Sequence, residues 1–229
     1  GTGDADNASF TIDGATLKTA GVFDFETKSS YSVRVQVTDA AGLTYEKVFT
    51  ISVTDVNDAP TNISLSVSTV AENAASGTSV GTLAGTDADA GDTFTYSLVS
   101  GTGSTDNASF TIDGSTLKTA AVFDFETKTS YSVRVRVTDA GGLSFEKALT
   151  ISVTNVNEAP TALALSNTSV LENAASGTTV GTLAGTDADA GDTHTYTLVA
   201  GTGSTDNASF TITGTTLSTA AVFNFEAKN

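Results

Sequence analysis

Cysteine, methionine and tryptophan are absent from this 229-residue sequence, and proline occurs twice and histidine once. Without cysteine there is no disulfide, no thiol nucleophile, and no cysteine-ligated zinc or iron–sulfur cluster. A secreted life would therefore rest on core packing or on bound metal. The single histidine, His194, has no cysteine beside it and no serine in a nucleophile elbow, which leaves no hydrolytic triad. Basic residues are scarce as well: ten Lys plus Arg stand against 26 Asp plus Glu, a formal net charge of −16. That balance argues against nucleic acid, whose phosphates need a basic surface, and favours cations as partners or simple solubility. No apolar run approaches the roughly 20 residues of a membrane helix, and nothing resembles a signal peptide. What remains is rich in Thr, Ser, Ala, Gly and Val, a mixture poor for helices and suited to short strands with many turns.

The dominant feature is repetition at a period of one hundred residues. Residues 1–58 match 101–158 at 45 of 58 positions, and 59–129 match 159–229 at 54 of 71, with no insertion or deletion. That period is too long for a small solenoid unit and normal for an independent domain. The two prolines, Pro60 and Pro160, lie in "TDVNDAPT" and "TNVNEAPT". A residue with fixed φ and no N–H is best tolerated in a linker, so the boundaries are placed there. The expected division is the back part of one repeat (1–58), a whole repeat (59–158) and the front part of another (159–229), a segment of a longer tandem array.

Each repeat reads as seven short strands. "YSVRVRV" at 131–137 alternates Tyr131, Val133, Val135 and Val137 on one face with Ser132, Arg134 and Arg136 on the other. "LTISV" at 149–153 alternates likewise, and "SVGTLAGT", "TFTYSLV", "ASFTI", "TLKTAAVFDF" and the "ALALSNTSV" stretch supply the rest. Asp113-Gly114 is a hairpin signal. Seven alternating strands in about a hundred residues predict an all-β fold of tandem Greek-key β-sandwiches, immunoglobulin-like in class.

The acidic residues of a repeat fall into short motifs at strand ends: "AEN" with Glu72, "DADAGD" with Asp87, Asp89 and Asp92, "FDFE" with Asp124 and Glu126, "VTDAGG" with Asp139, and "NVNE" with Asn155, Asn157 and Glu158. Clustered Asp, Glu and Asn without His or Cys suit a hard ion such as Ca2+, which takes six to eight oxygens. Without metal such carboxylates would repel one another.

In this order the motifs resemble the cadherin repeat, especially the cadherin-like domains of large bacterial surface proteins, over the whole chain. The resemblance implies Ca2+, up to several ions per junction, at two interdomain junctions. The first would use Asp24, Glu26, Asp55, Asn57, Asp58, Asp87, Asp89 and Asp139. The second would use Glu72, Asp124, Glu126, Asn155, Asn157, Glu158, Asp187 and Asp189. The carbonyls of Val56, Ala59, Val156 and Ala159 are further candidates, and Asp92 and Asp192 are candidates to replace an asparagine of the family pattern. Asn155 in place of Asp55 removes a charge and leads to the expectation of a weaker second junction.

The resemblance further implies a non-enzymatic structural or adhesive module, extracellular or on the cell surface. Its partners would be neighbouring repeats, like molecules, or cell-surface and matrix ligands. The alternatives are a polysaccharide- or partner-binding surface domain and a self-assembling filament subunit. Carboxylate pairs can imitate a glycosidase site, but here they recur in every repeat without an aromatic sugar platform. His194 stands where Phe94 stands one repeat earlier and reads as a strand side chain. "NAS" at Asn7, Asn107 and Asn207 fits a glycosylation acceptor, a pattern short enough to arise by chance.

Overall fold

The computed structural model describes residues 2–227. The chain divides into two units, one made of Gly1–Val70, Ala75–Val122 and Ser130–Ser152, the other of Ala71–Ala74, Phe123–Thr129 and Val153–Asn229. Among the described residues there are strands and single 3-10 turns and no α-helix.

The first unit begins with two hairpins. β1 (Phe10–Asp13) and β2 (Thr16–Thr19) pair with Asp13 opposite Thr16, and the turn is opened by Gly14 at φ 61°, a conformation glycine adopts without penalty. β3 (Ser30–Thr38) and β4 (Thr44–Ser52) pair along their whole length. A β-sandwich follows, built from β5 (Asn62–Leu65), β6 (Thr69–Ala71), β7 (Ser79–Thr86), β8 (Thr95–Leu98), β9 (Phe110–Asp113), β10 (Thr116–Thr119), β11 (Ser130–Thr138) and β12 (Ser144–Thr154). One sheet runs β5-β7-β10-β9 and the other β6-β12-β11-β8.

Its core follows from the two-residue period of a strand. Val133, Val135 and Val137 of β11 and Ile151 of β12 are fully buried, and Ile63, Leu83 and Leu117 bury the facing side of the other sheet. Each such side chain contributes about 1.5–3 kcal/mol by leaving water. The outer face of β11 carries Arg134 and Arg136, which share Glu146 of β12 at 2.9 and 2.6 Å.

The sandwich has eight strands where the sequence suggested seven. The first stretch breaks after Leu65, and its halves join opposite sheets. The crossing point is Val67, whose carbonyl oxygen and nitrogen lie 2.5 and 2.9 Å from where a Cβ on Gly81 would be. Glycine at 81 is what lets the chain pass over β7, and the pairing of β7 with β10 shifts register beside it. The expected strand "TLKTAAVFDF" also stops early, at Thr119, and the residues bearing Asp124 and Glu126 form a turn.

The second unit holds one four-stranded sheet, β13 (Ala162–Leu165), β14 (Thr179–Thr186), β15 (Phe210–Thr213) and β16 (Thr216–Thr219), in the order β13-β14-β16-β15. It repeats the β5-β7-β10-β9 sheet one period later. Residues 169–171 and 195–198, the counterparts of β6 and β8, form no strand. In the sandwich those strands pair with β12 and β11, and among the described residues the second unit has no such pair. Leu163, equivalent to fully buried Ile63, is exposed there.

Candidate metal centres

Three separate segments of the first unit bring carboxylates together. The turn after β2 supplies Glu26, the segment after β4 supplies Asp55, and the loop after β7 supplies Asp87, Asp89 and Asp92. Glu26, Asp55 and Asp89 each place an oxygen within 4.8 Å of the others, as do Asp87, Asp89 and Asp92, so Asp89 belongs to both groups. Backbone donors hold this arrangement. Asp58 N donates to Asp89 Oδ2 at 2.8 Å, and Asp89 N donates to Asp87 Oδ1 at 3.2 Å. Asn57 Nδ2 donates to Asp139 Oδ2 at 3.1 Å and to the Asp58 carbonyl at 2.9 Å. Asp139 is buried, and its other oxygen accepts from Leu143 N at 2.8 Å.

Asp24 and the Asp58 carboxylate fall in neither group. Asp24 Oδ1 accepts from Thr27 N at 2.9 Å, and that bond, with the Thr27 side chain, holds its carboxyl below the ordinary range.

The second unit repeats the pattern with differences. Glu72, Asp124 and Glu126 form one group, Glu126, Glu158 and Asp189 another, and Asp187, Asp189 and Asp192 a third. Glu72 is buried and accepts from Phe125 N at 2.8 Å on Oε2 and from Val156 N at 2.7 Å on Oε1. Glu158 N donates to Asp189 Oδ2 at 2.7 Å, and Asn157 Nδ2 to the Glu158 carbonyl at 2.8 Å. Asn155 contributes no carboxylate; its amide approaches Glu126 Oε1 at 3.4 Å. Glu158 reaches a group that its counterpart Asp58 does not, because it is one methylene longer and Asn73 Nδ2 holds its Oε1 at 2.6 Å. At the second site Asn155 thus brings no carboxylate to the group, and Glu158 brings one.

Two observations indicate what such groups can hold. Asp87 Oδ2, Asp89 Oδ1, Asp92 Oδ2 and Glu158 Oε2 are buried without a hydrogen-bond partner, a costly state for a carboxylate oxygen. The described Lys and Arg ion pairs go elsewhere, to Asp6, Asp13, Asp113, Glu46 and Glu146. The electrostatics follow. Glu26's own backbone hydrogen bond pulls its pKa down, but burial and the charges of Asp55, Asp89 and Asp58 leave it raised. Glu126 is raised chiefly by burial, opposed by its backbone hydrogen bond and reinforced by Glu72, Glu158 and Asp189. An oxygen-only donor set with uncompensated charge fits a hard divalent cation.

Comparison with known proteins agrees with this architecture. The sequence model of the cadherin domain matches residues 66–154. Those residues resemble a cadherin domain. Human Protocadherin-16 is 37% identical over 188 residues, 77% of this chain and 6% of that protein. Mouse Protocadherin Fat 2 is 33% identical over 171 residues, 69% of this chain and 4% of that protein. The chain therefore spans a small part of these mammalian relatives. Among solved structures, the Protocadherin GammaB4 extracellular domain superposes with a TM-score of 0.62 at 26% identity, covering 96% of this chain and 37% of that one. Protocadherin Gamma B2 extracellular cadherin domains 3-6 share the fold at a TM-score of 0.66 and 21% identity, over 100% of this chain and 57% of that one. These relatives are vertebrate proteins and do not carry the association with bacterial surface proteins.

Sequence reasoning missed two residues that shape the candidate metal centres. Asn73 sits at φ 58°, in the left-handed region that Asn tolerates better than most residues, and it orients Glu158. Gly141 packs against Asn57. Asp92 and Asp192, weighed only as replacements, lie in the groups themselves. His194 Nε2 lies 3.5 Å from Asp187 Oδ2, beside the site but in none of its groups. Asn107 is taken up structurally: its Oδ1 accepts from Arg134 N at 2.9 Å and its Nδ2 donates to the Val99 carbonyl at 2.8 Å.

Proposed function

We propose that the chain is a run of tandem cadherin repeats, divided at 58/59 and 158/159, whose two junctions bind Ca2+ and thereby stiffen an extracellular adhesive or structural protein. The observation that carries this reading is the set of buried, unpartnered carboxylate oxygens on Asp87, Asp89, Asp92 and Glu158, with Asp89 converging on Glu26 and Asp55 and Glu158 on Glu126 and Asp189. Glu26, Asp55, Asp87, Asp89 and Asp92 would hold ions at the first junction, with Asn57, Asp58 and Asp139 arranging the linker. Glu72, Asp124, Glu126, Glu158, Asp187, Asp189 and Asp192 would do so at the second, with Asn155 and Asn157 on its linker. Asp24 contributes by closing the turn that carries Glu26.

Bound Ca2+ supplies the positive charge that these groups lack. The chain's own part is to draw ligands from the end of one repeat, from the linker and from the loop of the next. Binding energy at such a site opposes bending of the linker, because bending would separate the ligands. Without cation the same carboxylates repel. The close similarity of successive copies, 54 of 71 positions over 59–129 and 159–229, supports a long repetitive stalk, adhesin-like in the manner of bacterial surface proteins, over a specialised recognition head. Neighbouring repeats are its immediate partners.

The test is a calcium titration by calorimetry together with small-angle scattering in Ca2+ and in EDTA. Uptake of Ca2+ with an increase in maximum dimension or a narrowing of the ensemble is expected. Absence of binding, or identical scattering in both conditions, refutes the proposal.

A further inference from the structure

The loops after β3 and β11 read Val-Thr-Asp-Ala-Ala-Gly-Leu at 37–43 and Val-Thr-Asp-Ala-Gly-Gly-Leu at 137–143, a single difference at position 41 or 141. In the first, Ala41 N and Leu43 N both donate to Asp39 Oδ1, at 2.9 and 2.8 Å. In the second, Leu143 N donates to Asp139 Oδ1, and Asp139 Oδ2 accepts from Asn57 Nδ2 at 3.1 Å. A Cβ on Gly141 would overlap Oδ1 and Cγ of Asn57 and lie 2.7 Å from its Nδ2. Gly141 is not among the residues with positive φ, so its backbone does not require glycine. Ala41 shows that the same loop folds with a methyl group. The space is what demands glycine at 141: Asn57 lies where the side chain would be.

We propose that Gly141 is a positioning residue of the first metal centre, acting through Asn57. Seated against Gly141, Asn57 bonds to Asp139 and to the carbonyl of Asp58. That fixes a linker whose Asp55 enters the carboxylate group two residues earlier and whose Asp58 N holds Asp89. Alanine at 141 would push the amide out. The Asn57 side chain can move without breaking the sandwich, so the damage falls on linker geometry rather than on the fold. This inference rests on the calcium reading above.

The test uses the full 229-residue chain with Gly141→Ala, Asn57→Ala, the double variant, and Ala41→Gly as control. Three quantities are read: the Asn57 side-chain amide resonances in EDTA, the Ca2+ titration, and the melting temperature in EDTA. Gly141→Ala should shift the Asn57 resonances and weaken Ca2+ binding at the first centre on the order of tenfold, the usual effect of removing a supporting contact. Binding at the second centre and the melting temperature in EDTA should stay unchanged. Asn57→Ala should weaken binding similarly, the double variant no more than either single one, and Ala41→Gly not at all. If wild type binds Ca2+ and Gly141→Ala binds it equally well, or if the Gly141→Ala effect persists in full without Asn57, the positioning role is overturned while the calcium reading stands. If wild type takes up no Ca2+, the calcium reading itself fails and the positioning role falls with it.

Discussion

Replacing Asp89 by asparagine should stabilise the protein in EDTA and destabilise it in Ca2+. Asp89 is the shared member of two carboxylate groups and has one buried oxygen without a partner. Its neighbours Asp87 and Asp92 bring oxygens to within 4.8 Å. Two unit charges at that distance repel by about 0.9 kcal/mol at the dielectric of water and about 3.5 kcal/mol at an effective value near 20. Asparagine removes that repulsion and still offers an oxygen to Asp58 N, which bonds to Asp89 at 2.8 Å. A gain of about 2 kcal/mol in EDTA is a fair midpoint and corresponds to a rise of several degrees for a domain of this size. With Ca2+ at a hundred times its dissociation constant, a bound ion stabilises by about 2.7 kcal/mol, and the variant forfeits most of that. Calorimetric melting in EDTA and in saturating Ca2+ should therefore give midpoints that move in opposite directions relative to wild type. If Asp89→Asn lowers the midpoint equally in both, Asp89 is a structural hydrogen-bond acceptor and the electrostatic account of the site is wrong.

Three further outcomes are expected. Asn73→Gly keeps the left-handed backbone but drops the bond to Glu158, so Ca2+ binding at the second centre should weaken with little change in EDTA stability; Asn73→Ala should weaken binding equally and also cost about 1 kcal/mol of stability from backbone strain, measurable by urea titration in EDTA. Glu146 is held below its usual pKa by its hydrogen bonds to Arg136 and Arg134, so its stabilisation is present above the unfolded-state value and lost as the pH falls through the folded one; Glu146→Gln should flatten the acid side of the stability–pH curve and leave the neutral to alkaline part parallel to wild type. Asn107, with both ends of its amide bonded to backbone, should acquire no glycan on secretion from a glycosylating host, by intact mass, despite its Asn-Ala-Ser sequence.

The parts of the fold that could be read from sequence are those where one face of a strand is dry. β11 alternates valine with polar residues because Val133, Val135 and Val137 are fully buried while Arg134 and Arg136 reach Glu146. The hairpin at Asp113-Gly114 was equally legible, since positive φ at Gly114 is a local demand. The break between β5 and β6 was not. It depends on a backbone crossing at Gly81, and nothing local to residues 62–71 announces it. The early end of β10 has a similar cause: after Thr119 the chain is held by the bond from Ala120 N to the Ser109 carbonyl and by Asp124 closing its own turn, not by a ladder.

The metal centres divide along the same line. Which residue types gather was visible in "DADAGD", "FDFE" and "VNDAP", because oxygen donors at loop ends show in a linear pattern. How far each side chain reaches was not. By substitution alone, Asn155 for Asp55 should impoverish the second centre. In the structure Glu158, the counterpart of Asp58, places a carboxylate among Glu126 and Asp189, where Asp58 places none. The change that removes a charge puts an amide beside Glu126. If affinity at these sites follows convergence in space, the carboxylate that Asn73 holds at 158 compensates for the one lost at 155. An isothermal titration resolving the two centres should therefore find the second at least as strong as the first. A second centre more than tenfold weaker would show that the reach of Glu158 counts for less than the lost charge at 155.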